Sequence, residues 1–219
     1  MGRMVAHWMM HGSSDLDVTG IHINRLHPYQ ATPEYRSART PESLGMVYQC
    51  HYPYKLNVTA RGVKRSPLHA RTQALGANFR SVSGFEMPDY YTQTPDTETG
   101  TRTNGDKWWG GVPGWGRPPF WGEWEREHHV CRNEVGVIDM SFMSKFWVEG
   151  VRAGELLDRV STASVDGDVG RVVYTQWLNA EGKLEGDVTV TKLKAHTFLV
   201  IVTDSMHRHA EAHLQVCNL

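Results

Sequence analysis

The sequence predicts an α+β fold with an antiparallel sheet, and three observations carry that expectation. Residues 171–193, RVVYTQWLNAEGKLEGDVTVTKL, place two apolar-alternating runs on either side of the turn-forming cluster Asn179-Ala180-Glu181-Gly182, the pattern of a β-hairpin. Just upstream, Ala153, Leu156, Leu157 and Val160 fall at i, i+3, i+4 and i+7, the stripe of an amphipathic helix. No P-loop and no G-x-G-x-x-G occurs anywhere, so nothing here cradles a pyrophosphate.

Taken in order, Val5 to Met10 reads as a short helical piece within a polar, irregular opening of about thirty residues. Glu34 to Gln49 suits a helix that Pro41 breaks or restarts. Ser66-Pro67 opens another, with a Ser cap, Pro at the first helical position and Gly76 just past its end. Ala77 to Glu86 reads as a strand or hairpin interrupted by Gly84. Residues 92–122 are dense in Gly, Pro, Thr and Trp and lack periodicity, which marks a long loop or boundary. Its tryptophans Trp108, Trp109, Trp115 and Trp121 suit pinning of that loop to a domain surface better than stacking on a ligand. Beyond it, Trp124, Cys131 and Val135 share a helix face that Gly136 ends. Val137 to Met140, Lys145 to Glu149 and Thr197 to Thr203 read as strands.

Composition narrows the function classes. The 219 residues suffice for one large domain or two small ones. A formal net charge of -1 leaves no basic footprint for nucleic acid or an anionic membrane. Three widely spaced cysteines, Cys50, Cys131 and Cys217, fit a reducing compartment and no disulfide framework. With no signal-type segment and no bilayer-length apolar run, the reading is a soluble intracellular chain. The twelve histidines do not suggest metal: His128 and His129 point to different sides of a helix, and His207 and His209 lack a carboxylate or thiol at ligand spacing. Ser205 and His207 are near one another but no nucleophile elbow surrounds them.

The residue that invites a site is Asp187, an acid inside a Val/Thr/Leu strand where Asp is disfavoured. Either it is a solvent-facing position or bulge, or it serves a ligand. With a loop at Asn179–Gly182, Leu178 pairs with Lys183, Tyr174 lies opposite Asp187, and both face one pocket; a loop extending through Lys183 slips the pairing by one and separates them. The four-residue turn is the expectation taken forward.

The stretches RNEVGVIDMSFMSKFWVEG and GRVVYTQWLNAEGKLEGDVTVTKL resemble the start of the folate-binding domain of the glycine-cleavage aminomethyltransferase (T-protein) family, in the form found at the C-terminal end of sarcosine and dimethylglycine dehydrogenases. HPYQATPEYRSARTPESLGMVYQCHYP and RSPLHARTQALGANFRSVSGFEMPDYY are similar to the central domain of those flavoenzymes. MVAHWMMHGSSDLDVTGIHINRLHP looks like the tail that follows their FAD domain. The resemblance implies residues 1–30 as that tail, 31–95 as a segment of the central oxidoreductase domain, 96–122 as a linker, and 123–219 as part of a T-protein-like folate-binding domain.

In that family a flavin oxidises an N-methyl amino acid and tetrahydrofolate captures the one-carbon unit. Asp187 matches the family's acid beside the reacting folate nitrogen, suited to general acid–base and electrostatic roles. Tyr174 matches a pocket-lining tyrosine, and Met143 and Trp147 match positions contacting the pterin and its linker, Trp147 replacing a usually smaller apolar residue. The resemblance implies a partial tetrahydrofolate site, with FAD held only by the full-length parent family and not by this chain. It also implies a methylated-amine substrate, a mitochondrial matrix location in a eukaryote or a cytoplasmic one in a bacterium, and a chain that is a piece of a larger enzyme. Half a domain cannot cover its own core, so apolar surface is expected to be exposed, open to a complementary chain or to self-association. The alternative is a non-catalytic interaction protein like the regulatory subunit of pyruvate dehydrogenase phosphatase, which shares this architecture.

Overall fold

The computed structural model describes residues 1–12, 14–16, 18, 21–50, 55–92, 117 and 120–217. Most of the Trp-rich boundary segment, with Trp108, Trp109 and Trp115, lies outside the described residues. Two compact units emerge: Met1–Pro28 with Met143–Leu219, and Tyr29–Phe142. No helix among the described residues is long and apolar enough to cross a membrane.

Helix α1 (Gly2–His11) opens the first unit and stops where Gly12 turns left-handed, φ 74°, donating its N–H to the Trp8 carbonyl.

The second unit starts with α2 (Pro33–Tyr48), capped by Thr32, whose hydroxyl accepts the Tyr35 N–H at 3.4 Å. Contrary to the break expected at Pro41, α2 runs straight through it. Proline removes one backbone donor, and side chains on both sides of it hold the helix in place. The Arg39 guanidinium donates to the Thr59 carbonyl at 2.5 Å, and Glu42 accepts the N–H groups of Val58 and Thr59 at 2.6 and 3.0 Å.

Strand β1 (Lys64–Arg65) leads to α3 (His69–Ala74), which begins later than expected. Ser66 accepts the Leu68 N–H at 3.2 Å in a preceding turn and donates to Asp139 at 2.6 Å. The hairpin interrupted at Gly84 is present: β2 (Ala77–Val82) and β3 (Phe85–Tyr91) flank Ser83 and Gly84, both at positive φ, 46° and 86°. That is the primed turn whose twist suits a two-residue connection. The sheet order is β1-β3-β2.

Helix α4 (Trp121–Asn133) packs on β3 through Trp124, whose indole donates to the Asp89 carbonyl at 3.2 Å, and Glu127, which accepts the Tyr91 N–H at 2.8 Å. Two sequence expectations fail beyond it. Val135 lies outside the helix and is exposed, and Val137 to Met140 form no strand. A strand needs an edge to pair with, and this segment instead folds around Asp139, which accepts the Ser141 N–H at 2.9 Å.

The rest of the first unit holds the larger core. Strands β4 (Ser144–Glu149), β5 (Val172–Leu178), β6 (Leu184–Lys194) and β7 (Thr197–Val202) form an antiparallel sheet in the order β4-β7-β6-β5. Alternation sends Val173, Trp177, Val188, Val190, Phe198, Val200 and Val202 to one face. There they meet Ala153, Leu157 and Val160 of α5 (Ala153–Val160), as the stripe predicted, and Ala210 of α6 (His207–Cys217). The α+β expectation with antiparallel pairing is borne out.

Candidate functional site

The opposite, outer face of this sheet carries the residues of interest, and the hairpin register sets their spacing. The four-residue turn is not what forms. Asn179 donates its N–H to the Lys183 carbonyl at 2.9 Å, and its side-chain oxygen accepts the N–H groups of Glu181 and Lys183 at 2.9 and 3.0 Å. Gly182 takes the left-handed φ of 76°. Leu178 therefore pairs with Leu184, the slipped alternative. A bulge at Glu185 then adds a second residue of slip, so that Trp177 pairs with Gly186, Gln176 with Asp187, and Tyr174 with Thr189.

Two slips of one restore the parity that one slip destroys. Tyr174 and Asp187 do share a face, but as diagonal neighbours; the residue directly opposite Asp187 is Gln176. The bulged Glu185 is held on both sides, accepting from the Asn179 amide at 2.8 Å and bonding His209 Nε2 on α6 at 2.6 Å.

Three polar side chains converge here. Gln176 Nε2 donates to Asp187 Oδ1 at 3.2 Å. Hydrogen bonding to Asp187 raises the Tyr174 phenol above its ordinary pKa. The strand's own fold supports the group from behind: Thr162, beside β5, donates its N–H to the Gln176 carbonyl at 2.9 Å and lies 3.4 Å from Gln176 Oε1.

Asp187 and Tyr174 are exposed, Tyr174 to 65 %. Trp147, equally exposed, is on the same outer face but on the far edge strand, three strand spacings or about 14 Å from β5. Met143 lies just before β4, half-buried, in step with Lys145 and Trp147. Between them run Leu199, Ile201, Thr189 and Thr191, which complete a mixed apolar and polar floor. Sequence reasoning missed Gln176 and Thr162. For Gln176 the available signal was its position two residues from Tyr174, which puts it on the same face of any strand.

The floor of a sheet with an acid, an amide and a phenol at one end can accept hydrogen bonds from a flat, N–H-bearing ligand. Among the described residues, no group of three His, Cys, Asp or Glu is placed to hold a metal ion.

Residues 68–218 match the model of the GCVT N-terminal domain. The chain belongs to that family. Upstream of this GCVT domain, residues 11–66 match the FAD dependent oxidoreductase central domain. The resemblance to the sarcosine and dimethylglycine dehydrogenase group is thus borne out. A 4-methylaminobutanoate oxidase (formaldehyde-forming) from Paenarthrobacter nicotinovorans is 32% identical over 98% of this chain and 25% of its own length. The mitochondrial sarcosine dehydrogenase of Mus musculus is 30% identical over 90% of this chain and 23% of its own. The chain spans about a quarter of the length of these relatives. The crystal structure of glycine cleavage system aminomethyltransferase T from Bartonella henselae shares the fold, with a TM-score of 0.54, 21% identity, and coverage of 72% of this chain and 36% of that one.

Proposed function

We propose that the outer sheet face is part of a tetrahydrofolate site in a flavin- and folate-dependent oxidative demethylase of sarcosine, dimethylglycine or a related N-methyl amine. The observation that carries this reading is the acid, amide and phenol cluster of Asp187, Gln176 and Tyr174 on the open face of a GCVT-type sheet. The names of the two relatives support it, since both describe oxidation of an N-methyl amine and one describes release of formaldehyde.

The residues present suit a folate. Asp187 accepts N–H donors, while the exposed indole of Trp147 and phenol of Tyr174 offer flat surfaces for a heterocycle and its linker, with Met143 at the rim. Bound tetrahydrofolate supplies the nucleophilic nitrogens that carry off a one-carbon unit. Asp187 holds or takes a proton at the ligand nitrogen beside it, and its negative charge favours positive charge developing there. No residue of this chain is assigned to the flavin. In the same reading, residues 123–219 belong to the folate-binding part, residues 31–66 to the oxidoreductase central domain, and the exposed apolar surface is open to a complementary chain or to self-association.

Titration of tetrahydrofolate against the wild-type chain and Asp187→Asn, followed by calorimetry, tests the proposal. The substitution is expected to weaken binding about tenfold, the scale of a hydrogen bond to a charged group. Equal affinity of the two chains would remove Asp187 from the site. Absence of binding by both would end the folate reading and favour an interaction role.

A further inference from the structure

We infer that Gln176 is the positioning residue of the site: it fixes the Asp187 carboxylate in the orientation that meets a ligand. This rests on the folate reading of the same face and adds a residue and a direction to it.

A chain of hydrogen bonds runs from the buried interior to the open face. Thr175 is buried on the inner side of β5, and its hydroxyl accepts the Ala163 N–H at 3.0 Å. It lies 3.2 Å from the Thr162 hydroxyl. With the Thr175 proton directed at Thr162, the Thr162 proton is left for Gln176 Oε1 at 3.4 Å, and the Gln176 backbone N–H also points at the Thr162 oxygen at 3.4 Å. An amide whose oxygen is engaged by a donor must present its NH2 the other way. That end faces Asp187 Oδ1 at 3.2 Å.

An exposed carboxylate on a strand otherwise samples several rotamers, because both oxygens can be satisfied by water. A donor anchored to the protein interior selects one of them. The Tyr174 phenol lies on the same face at the diagonal position, beside the carboxylate that the amide holds.

The test separates this role from the folate reading by measuring Asp187 without ligand. Three-bond couplings of the Asp187 Cβ protons, assigned by the signals lost in Asp187→Asn, give its side-chain rotamer populations in wild type, Gln176→Met, Thr162→Val and Thr162→Ser. One rotamer is expected to dominate in wild type. Gln176→Met keeps length and loses the donor, and the populations are expected to spread. Thr162→Val follows the Met variant in direction, and Thr162→Ser, which keeps the hydroxyl, restores the wild-type distribution. Tetrahydrofolate affinity at neutral pH is expected to fall about fivefold to tenfold in Gln176→Met. An unchanged rotamer distribution in Gln176→Met overturns the proposal, as does a changed one with tetrahydrofolate bound equally by wild type and Gln176→Met. If the distribution changes but wild type binds no tetrahydrofolate, the orienting role of Gln176 stands and the folate reading falls.

Discussion

The four-stranded sheet of the first unit is sealed on one side by aliphatic and aromatic side chains, whereas the three-stranded sheet of the second leans on buried charge. In the first, Leu157, Trp177, Phe198 and Val200 are fully removed from solvent. In the second, the apolar centre is small, Tyr90 stacked on Phe120 with Trp124 edge-on. At its heart Arg61 instead grips Glu86 through Nε and Nη2 at 2.7 and 2.5 Å, while also donating to the Phe79 carbonyl, and Glu86 takes the Gly62 N–H at 2.8 Å. Apolar burial is indifferent to pH and to which partner supplies it. A buried ion pair depends on the protonation of both members and is costly to break from one side.

That difference can be broken or sharpened by experiment, starting from the largest effect. Trp177→Ala removes the largest fully buried side chain and is expected to cost the first unit about 4 kcal/mol. Chemical denaturation checks this, and a loss under about 1.5 kcal/mol would mean that the core collapses onto the gap and is not a tight one.

Next is Glu86. Burial by itself raises its pKa, but the Arg61 guanidinium and the Gly62 N–H outweigh that and hold it below the ordinary carboxylate value of 4.5. A lowered folded pKa means that the stabilisation is complete above the unfolded value and is lost as pH falls through the folded one. The second unit is therefore expected to lose stability below about pH 4.5. Asp89, whose pKa burial raises despite Arg80, pulls the other way. Glu86→Gln leaves Arg61 without its carboxylate and is expected to cost about 3 kcal/mol at neutral pH and to flatten the acid limb. Thermal unfolding against pH measures both, and an acid limb as steep as wild type would show that the pH dependence arises elsewhere.

The smallest expected effect contrasts the two faces of one sheet. Trp147 is the same residue type as Trp177 but 65 % exposed on the outer face. Trp147→Ser is expected to change stability by no more than about 0.5 kcal/mol. A loss above about 1.5 kcal/mol would show that this face is packed and not open to a ligand or partner.

Much of this was legible in the chain. The α5 stripe and the β2–β3 and β5–β6 hairpins follow from periodicities of 3.6 and 2 and from turn residues, whereas Tyr174 and Asp187 share their outward face through a register that the expected turn does not give. What failed did so for non-local reasons. Val137 to Met140 have strand composition, but the segment is drawn around Asp139, which takes the Ser66 hydroxyl and the Ser141 N–H. Pro41 is a helix breaker by rule, yet Arg39 and Glu42 are tied to the 58–60 segment on either side of it. The pairing of Asp187 with Gln176 turned on one extra residue, Glu185, which the Asn179 amide and a histidine on α6 hold in place.

By itself the sequence determined the α+β class and the elements of the larger sheet, because these depend on spacing within a few residues. The tertiary structure alone decided which residue sits across from Asp187 and what holds that residue. A bulge is chosen by contacts between segments far apart in the chain, and a shift of a single residue there changes every pairing beyond it.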